Sequence, residues 1–417
     1  MTIEIPSRER VEATLTLPGS KSFTHRALVA AALAAGESRL SNALKAEDTE
    51  LTAQALSRLG AGSRWQDSTV GVTGTGGRLR PVTEPVYLGN SGTSMRFLTA
   101  LVSLGQGKYL LTGSPRLCER PMDELLAALG RLGVKAVSEK GDGCPPVVVQ
   151  GGLTGGRTSL SGAVSSQYLS ALLFIGPLAP QGVEIEVTGE LVSRPYVNMT
   201  LEVLTEFGIS HYREGYRYFN LPGGQCYQPQ DYEIQGDASS ASYFWAAAAL
   251  TGGRVTITNL SLDSCQGDID FLSVLARMGC LLDSSPAGLT VVGGPLQGIE
   301  VNMANMPDLV PTLAVLAAFA QGETAITGVA HLRHKESDRL AAVAAELGKM
   351  GIKVRETADG LIIQGGRPVG VVIDTYQDHR LAMSFAVAGL KIPGIVIKDP
   401  GCVSKSFPDF WEFFEKL

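Results

Sequence analysis

Six apolar runs, each opened by a polar cluster, recur along the chain at nearly constant intervals. They are Ala27–Ala35, Phe97–Leu104, Tyr168–Leu178, Tyr243–Leu250, Leu313–Ala320 and Leu381–Leu390. Ser20, Ser91, Ser165, Asp237, Asp308 and Asp378 mark the openings, at steps of 71, 74, 72, 71 and 70 residues. Serine and aspartate suit the position before a helix, where a side-chain oxygen accepts a hydrogen bond from an otherwise unpaired backbone N–H. The pattern predicts six helices with polar starts and apolar bodies. In the first, LPGSKSFTHRALVAAA, either Ser20 or Ser22 can serve as the cap.

A second series has the same period. Helical patterns end at Leu59-Gly60, Leu132-Gly133, Phe207-Gly208, Met278-Gly279 and Met350-Gly351, spaced 73, 75, 71 and 72 residues apart. Glycine there suits the left-handed residue that closes many helices. Pairs at Gly76-Gly77, Gly151-Gly152, Gly223-Gly224, Gly293-Gly294 and Gly365-Gly366 then close short β-like stretches. A fixed period of this kind signals a repeated supersecondary unit. Each repeat reads as strand, helix, strand, helix, then two short strands.

The sixth repeat stops short of its closing glycine, and two alternating segments at the other end of the chain, Thr2–Ile5 and Val11–Leu17, are read as the strands it lacks. The expected domains are residues 18–234, with three repeats, and residues 1–17 plus 235–417, with the other three. The competing reading is a continuous split near residue 235.

Length and composition narrow the classes. At 417 residues the chain is too long for one ordinary core. A net charge of −6 argues against a nucleic acid or an anionic membrane as partner. The six cysteines show no metal-binding spacing and suit a reducing cytosol. No signal-peptide core opens the chain, and no apolar run approaches the ~20 residues of a membrane span. A cytoplasmic monomer is expected.

Cations at helix starts carry the chemistry. The positive end of the helix dipole disfavours them, yet Lys21, Arg120, Arg194, Lys335, Arg339, Arg380 and Lys405 all stand at or just before one. The repetition points to anion binding. Taken singly, HLRHKESDR (331–339) reads as a solvated face, Asp308 as an N-cap, His25 as a core histidine and His379-Arg380 as a surface pair. Gly92 in NSGTS allows close backbone approach to a ligand. No Walker A lysine and no complete dinucleotide fingerprint is present. Cations, hydroxyls, amides and two well-placed carboxyls together suit proton transfer on small, multiply anionic substrates.

The motifs PGSKSFTHRAL, LGNSGTSMR, ERPM, SSQ, HKESDRL, DHR and SKSFPDF occur in an order and spacing that resembles the 5-enolpyruvylshikimate-3-phosphate synthases over essentially the whole chain. The resemblance implies an α/β fold of two inside-out α/β domains, each of three βαβαββ repeats, closing on substrate. It implies transfer of the enolpyruvyl group of phosphoenolpyruvate to the 5-hydroxyl of shikimate 3-phosphate with release of phosphate, and no cofactor or metal. By motif, shikimate 3-phosphate would be held by Lys21, Ser22, Arg26, Ser165, Ser166, Gln167, Ser193, Tyr196, Asp308 and Lys335. Phosphoenolpyruvate would be held by Lys21, Asn90, Gly92, Arg120, Gln167, Arg339, Arg380 and Lys405. Asp308 would take the proton of the 5-hydroxyl, with Glu336 and Lys21 handling the proton at the methylene carbon. His331 stands where many members carry Asn, and Phe97 where several carry Pro.

Two alternatives remain at this point. The sister transferase acting on UDP-N-acetylglucosamine carries a reactive Cys upstream of an Arg-Pro pair, and Cys118 precedes Arg120-Pro121 here. Its Lys-Asn pair is Lys21-Ser22 in this chain. A non-catalytic binder of phosphorylated acids would keep the cations but would not need Asp308 and Glu336 together.

Overall fold

The computed structural model describes residues 1–417. The chain divides into two compact units, Gly19–Gln235 (the first unit) and Met1–Pro18 with Gly236–Leu417 (the second). Each carries three small sheets, five of the six being four-stranded and the sixth three-stranded.

The periodic apolar runs become helices buried on all sides. In the second unit they are Ala238–Thr251, Val310–Phe319 and His379–Lys391, which pack on one another at the centre of the unit's core. In the first unit Lys21–Leu33, Gly92–Leu101 and Ser166–Ile175 are buried in the same way. A helix apolar around its whole circumference is stable only when surrounded. The sheets and the second, half-buried helices do the surrounding. Strands such as Val183–Thr188 alternate buried and exposed residues, one face on the core and one toward solvent.

Each four-stranded sheet has one parallel pair and two antiparallel pairs. Val86–Tyr87 runs parallel to Lys108–Thr112, which pairs antiparallel with Val147–Gln150, which in turn pairs antiparallel with Lys135–Ser138. In this repeat the parallel pair brackets the buried helix Gly92–Leu101, as a crossover connection requires. The closing glycines of the second helices, Gly60, Gly133, Gly208, Gly279 and Gly351, all have φ between 78° and 114°. The next residue in each case (Ala61, Val134, Ile209, Cys280, Ile352) turns back to bond the helix's last carbonyls and is buried.

One expectation is corrected. Thr2–Glu4 does join the sheet of the sixth repeat, antiparallel to Val396–Lys398. Glu12–Leu15 does not: it runs parallel to Arg254–Ile257 and leads the sheet of the fourth repeat. The strand that precedes the fourth repeat's helix in sequence, Asp231–Glu233, instead leads the sheet of the first repeat, parallel to Glu37–Ser41. The two leading strands are thus exchanged. The chain changes units only after completing a strand, so each strand stays in the unit it was laid down in.

Matching asparagines fasten the exchanged strands. Asn42, at φ 51°, donates to Ile234 O at 2.8 Å, and Asn259 brackets Leu17 through its N–H at 3.0 Å and its carbonyl at 2.7 Å. The last helix, Phe410–Glu415, follows a 3-10 turn over Pro400–Lys405. No helix is long and apolar enough to cross a membrane.

Candidate active site

Five of the six polar openings are side-chain caps: Ser20, Ser91, Ser165, Asp237 and Asp378 each accept from a backbone N–H two or three residues on. The sixth, Asp308, is not. It lies in a 3-10 turn, Pro307–Leu309, and caps nothing. Its Oδ1 accepts from Arg339 Nη1 at 2.7 Å and its Oδ2 from Arg380 Nη2 at 2.7 Å. A carboxylate that gives up capping to bridge two guanidiniums is placed for charge, and reading it as a cap is wrong.

Arg339 organises this half. Besides Asp308 it donates to Glu336 Oε2 at 2.8 Å and, through Nε, to Asp378 Oδ2 at 2.8 Å. Arg339 is 1% exposed, Asp378 0%, Glu336 10% and Asp308 20%. Burial alone would weaken the guanidinium's hold on its proton. The charges of Asp378, Glu336 and Asp308 together outweigh it and hold Arg339 well above its ordinary value. Ser337 adds a hydroxyl bond to Asp378 at 3.1 Å.

Arg380 begins the buried helix His379–Lys391 and reaches Tyr243 OH at 3.2 Å. The unfavourable cation at that helix start is therefore balanced by carboxylates of the chain itself, where the sequence had suggested a bound anion. Burial pushes Tyr243 up to about 12, so it stays a neutral hydrogen-bonding phenol. His331 is pushed down to about 3 by burial and then by Lys335, which keeps it neutral. Lys405 is 5% exposed, at the end of its 3-10 turn, and Lys335 closes the 3-10 turn Ala330–His334.

The first unit carries a second group of predicted residues. Gly92 opens the helix Gly92–Leu101, and a Cβ there would fall 2.5 Å from Arg96 Nη1 and 2.6 Å from Arg120 Nη2. Only glycine leaves room for two guanidiniums at this helix start. Both arginines are 4% exposed. Arg96 donates to the carbonyls of Gly92 at 3.1 Å and Pro121 at 3.4 Å, and its Nε makes no hydrogen bond. Two buried cations at a helix N-terminus concentrate positive charge where an anion is favoured. Gln167 Nε2 donates to Thr93 Oγ1 at 3.0 Å, joining Ser165, Ser166 and Gln167 to the same helix start, which Asn90 precedes.

Lys21 Nζ stands 3.5 Å from Asp48. Arg26, assigned to ligand by its motif, is 2% exposed and donates to the carbonyls of Ser22 and Tyr196 at 2.8 Å each and to Thr200 Oγ1 at 2.8 Å. It ties the predicted contacts Ser22 and Tyr196 together. Ser193, before Tyr196, sits at φ 56° at the start of the helix Arg194–Glu206. Arg194 departs from the pattern. It pairs with the exposed Glu190 at 3.0 Å and lies over Tyr216. His25 is buried and bonded to Thr52, a core histidine as expected.

Sequence reasoning missed Arg96, Asp378 and Tyr243, although the first two stand inside quoted motifs. Their apolar and capping surroundings gave no signal apart from the fold. It also missed Asp268, which is buried against Ser239 and pushed up to about 7 by burial and then by the charge of Asp308.

Comparison with known proteins identifies the family over the whole length of the chain. A family model described as EPSP synthase (3-phosphoshikimate 1-carboxyvinyltransferase) matches residues 5–414. The chain is 47% identical to the 3-phosphoshikimate 1-carboxyvinyltransferase of Nostoc punctiforme, over 100% of this chain and 99% of that protein. It is equally 47% identical to that of Syntrophobacter fumaroxidans, over 98% and 97%. Among solved structures, EPSP synthase from Acinetobacter baumannii superposes with a TM-score of 0.82 at 30% identity, over 100% of this chain and 97% of the other.

Proposed function

The chain belongs to the EPSP synthase family, and from that premise we propose how its own residues divide the work of the reaction. The reaction is transfer of the enolpyruvyl group of phosphoenolpyruvate to the 5-hydroxyl of shikimate 3-phosphate, with release of phosphate. One proton must leave an alcohol and another must reach a vinylic carbon before the tetrahedral adduct forms. Asp308 is assigned the first transfer, and Glu336 with Lys21 the second. The observation that carries this is the pair of carboxyls held on one guanidinium, Asp308 and Glu336 at 2.7 and 2.8 Å from Arg339.

That arrangement has a chemical consequence. An incoming carboxylate or phosphate competes for the donors of Arg339 and Arg380 that Asp308 and Glu336 now occupy. Phosphoenolpyruvate binding would then release the two carboxyls toward the reacting atoms. We assign phosphoenolpyruvate to Arg120, Gly92, Asn90, Gln167, Lys21, Arg339, Arg380 and Lys405. Shikimate 3-phosphate is assigned to Ser22, Ser165, Ser166, Gln167, Ser193, Tyr196, Lys21, Lys335 and Asp308, with Arg26 fixing Ser22 and Tyr196 in place. The chain is proposed to act as a monomer in the cytosol, consistent with six free cysteines.

Phosphate release on mixing the two substrates tests the reaction directly. Release with UDP-N-acetylglucosamine as acceptor, or binding without release, would support one of the alternatives. Asp308→Ala and Glu336→Ala are each expected to lower kcat by about two orders of magnitude or more, since a positioned acid or base contributes ~10²–10⁴-fold. Shikimate 3-phosphate binding should survive in Glu336→Ala and weaken modestly in Asp308→Ala. Turnover near the wild-type rate in either variant would overturn the assignment.

A further inference from the structure

The turn that delivers Asp378 and Arg380 is made of two consecutive non-glycine residues in the left-handed region, Tyr376 at φ 53° and Gln377 at φ 56°. Side chains disfavour that region, and it persists only where neighbours over-determine it. The neighbour here is Glu346, which is 0% exposed. Its Oε1 accepts from Tyr376 OH at 2.8 Å, and its Oε2 accepts from Asp374 N at 3.1 Å and Lys349 Nζ at 2.7 Å. Lys349 also reaches Asp374 Oδ2 at 2.7 Å, and Lys398 reaches its Oδ1 at 2.7 Å. Neutralising Glu346 would need only Lys349. The bonds to Tyr376 and to the Asp374 backbone fix the segment just ahead of the turn.

Glu346 and Arg339 lie on the same helix, Arg339–Lys349, seven residues apart and so on one face about 10 Å from each other. Arg339 grips Asp378 after the turn, and Glu346 grips Asp374 and Tyr376 before and within it. The helix holds the turn at two points. Asp378 N closes the turn onto Thr375 O at 2.8 Å, and Asp378 Oδ1 then caps Arg380 N at 3.0 Å.

We propose that Glu346, through the Tyr376 hydroxyl, is a positioning residue that holds the strained 375–378 turn so that Arg380 and Asp378 present their charges at the geometry phosphoenolpyruvate needs. The inference rests on the assignment of Arg380 to phosphoenolpyruvate, and the test separates the two.

Steady-state kinetics with each substrate varied in turn would be measured for Tyr376→Phe, Gln377→Gly, the double variant and Arg380→Lys. Tyr376→Phe removes one hydroxyl of a 45% exposed residue and leaves the ring. It should raise KM for phosphoenolpyruvate about three- to tenfold, with KM for shikimate 3-phosphate within about twofold, the scale of one typical net hydrogen bond. Gln377→Gly alone should change neither constant. In the double variant it should restore most of the lost affinity, because glycine adopts the left-handed conformation without support. If Arg380→Lys weakens phosphoenolpyruvate but Tyr376→Phe does not, the positioning role is wrong and the assignment of Arg380 stands. If Arg380→Lys leaves phosphoenolpyruvate unaffected, the assignment fails and the inference fails with it. Equal rises in both KM values, or no rescue by glycine, would mean general loosening and would also overturn the proposal.

Discussion

Arg339 is bonded to Asp308, Glu336 and Asp378 while itself almost wholly buried. Removing a buried cation leaves its partners uncompensated, which typically costs about 3–5 kcal/mol. Arg339→Ala is therefore expected to lose stability on that scale, seen as a lower denaturation midpoint, in addition to losing phosphoenolpyruvate affinity. Sequence reasoning alone assigned it only the affinity effect. Asp268 gives a pH signature. Its ordinary value near 3.8 is pushed up to about 7 in the folded chain, so the native state holds the proton more tightly than the unfolded one. The stability it contributes is complete below about pH 4 and is lost as pH rises through about 7. The groups acting on it are Ser239, Asp237, Asp308 and Arg380. Asp268→Asn should gain Tm relative to wild type between about pH 5 and pH 8, and parallel Tm curves would contradict this. Asp268 was invisible in the sequence because its environment is built from three segments far apart along the chain.

At the scale of elements, the glycine pairs have a steric cause. A Cβ on Gly151, Gly223, Gly293 or Gly365 would lie 1.8, 2.3, 2.1 or 1.8 Å from a carbonyl oxygen just at or after the end of the repeat's buried helix. In these four repeats the chain after the last strand passes closely over that helix end; in the first repeat the approach falls on Gly74, whose Cβ would lie 2.2 Å from Ala34 O, and not on Gly76-Gly77. Gly365→Ala is expected to cost about 2 kcal/mol or more, since Ala320 O cannot move without breaking the helix terminus. Gly348→Ala is the matched control. It stands inside the helix Arg339–Lys349 with open space around it, and should be neutral or stabilising by up to about 1 kcal/mol. Comparable losses in both would refute the steric account. The helix starts, the closing glycines and the paired glycines were all legible in the sequence, because each answers to a local rule of capping, handedness or contact.

At the scale of the whole molecule, the N-terminal segment is the decisive piece. We propose that Met1–Leu17 is required by residues 235–417. It supplies an edge strand to two sheets of the second unit and the buried side chains Ile5, Val11, Leu15 and Leu17 to its core. Deleting it should unfold that half at least as badly as the other, read by limited proteolysis. A stable isolated fragment 235–417 would refute this. The sequence by itself determined the repeat, the fold class, the family and most of the residues that bear charge at helix starts, since periodicity and capping act over a few turns of chain. It could not assign Glu12–Leu15 to its sheet, because any leading strand of any repeat satisfies the same alternation and only the packed unit distinguishes them. Nor could it show that Asp308 forgoes capping, that Arg339 gathers three carboxylates, or that Glu346 braces the turn before Arg380. Those depend on charges from different repeats being buried together, where low dielectric makes each partner's position matter, and only the tertiary structure decides which charges meet.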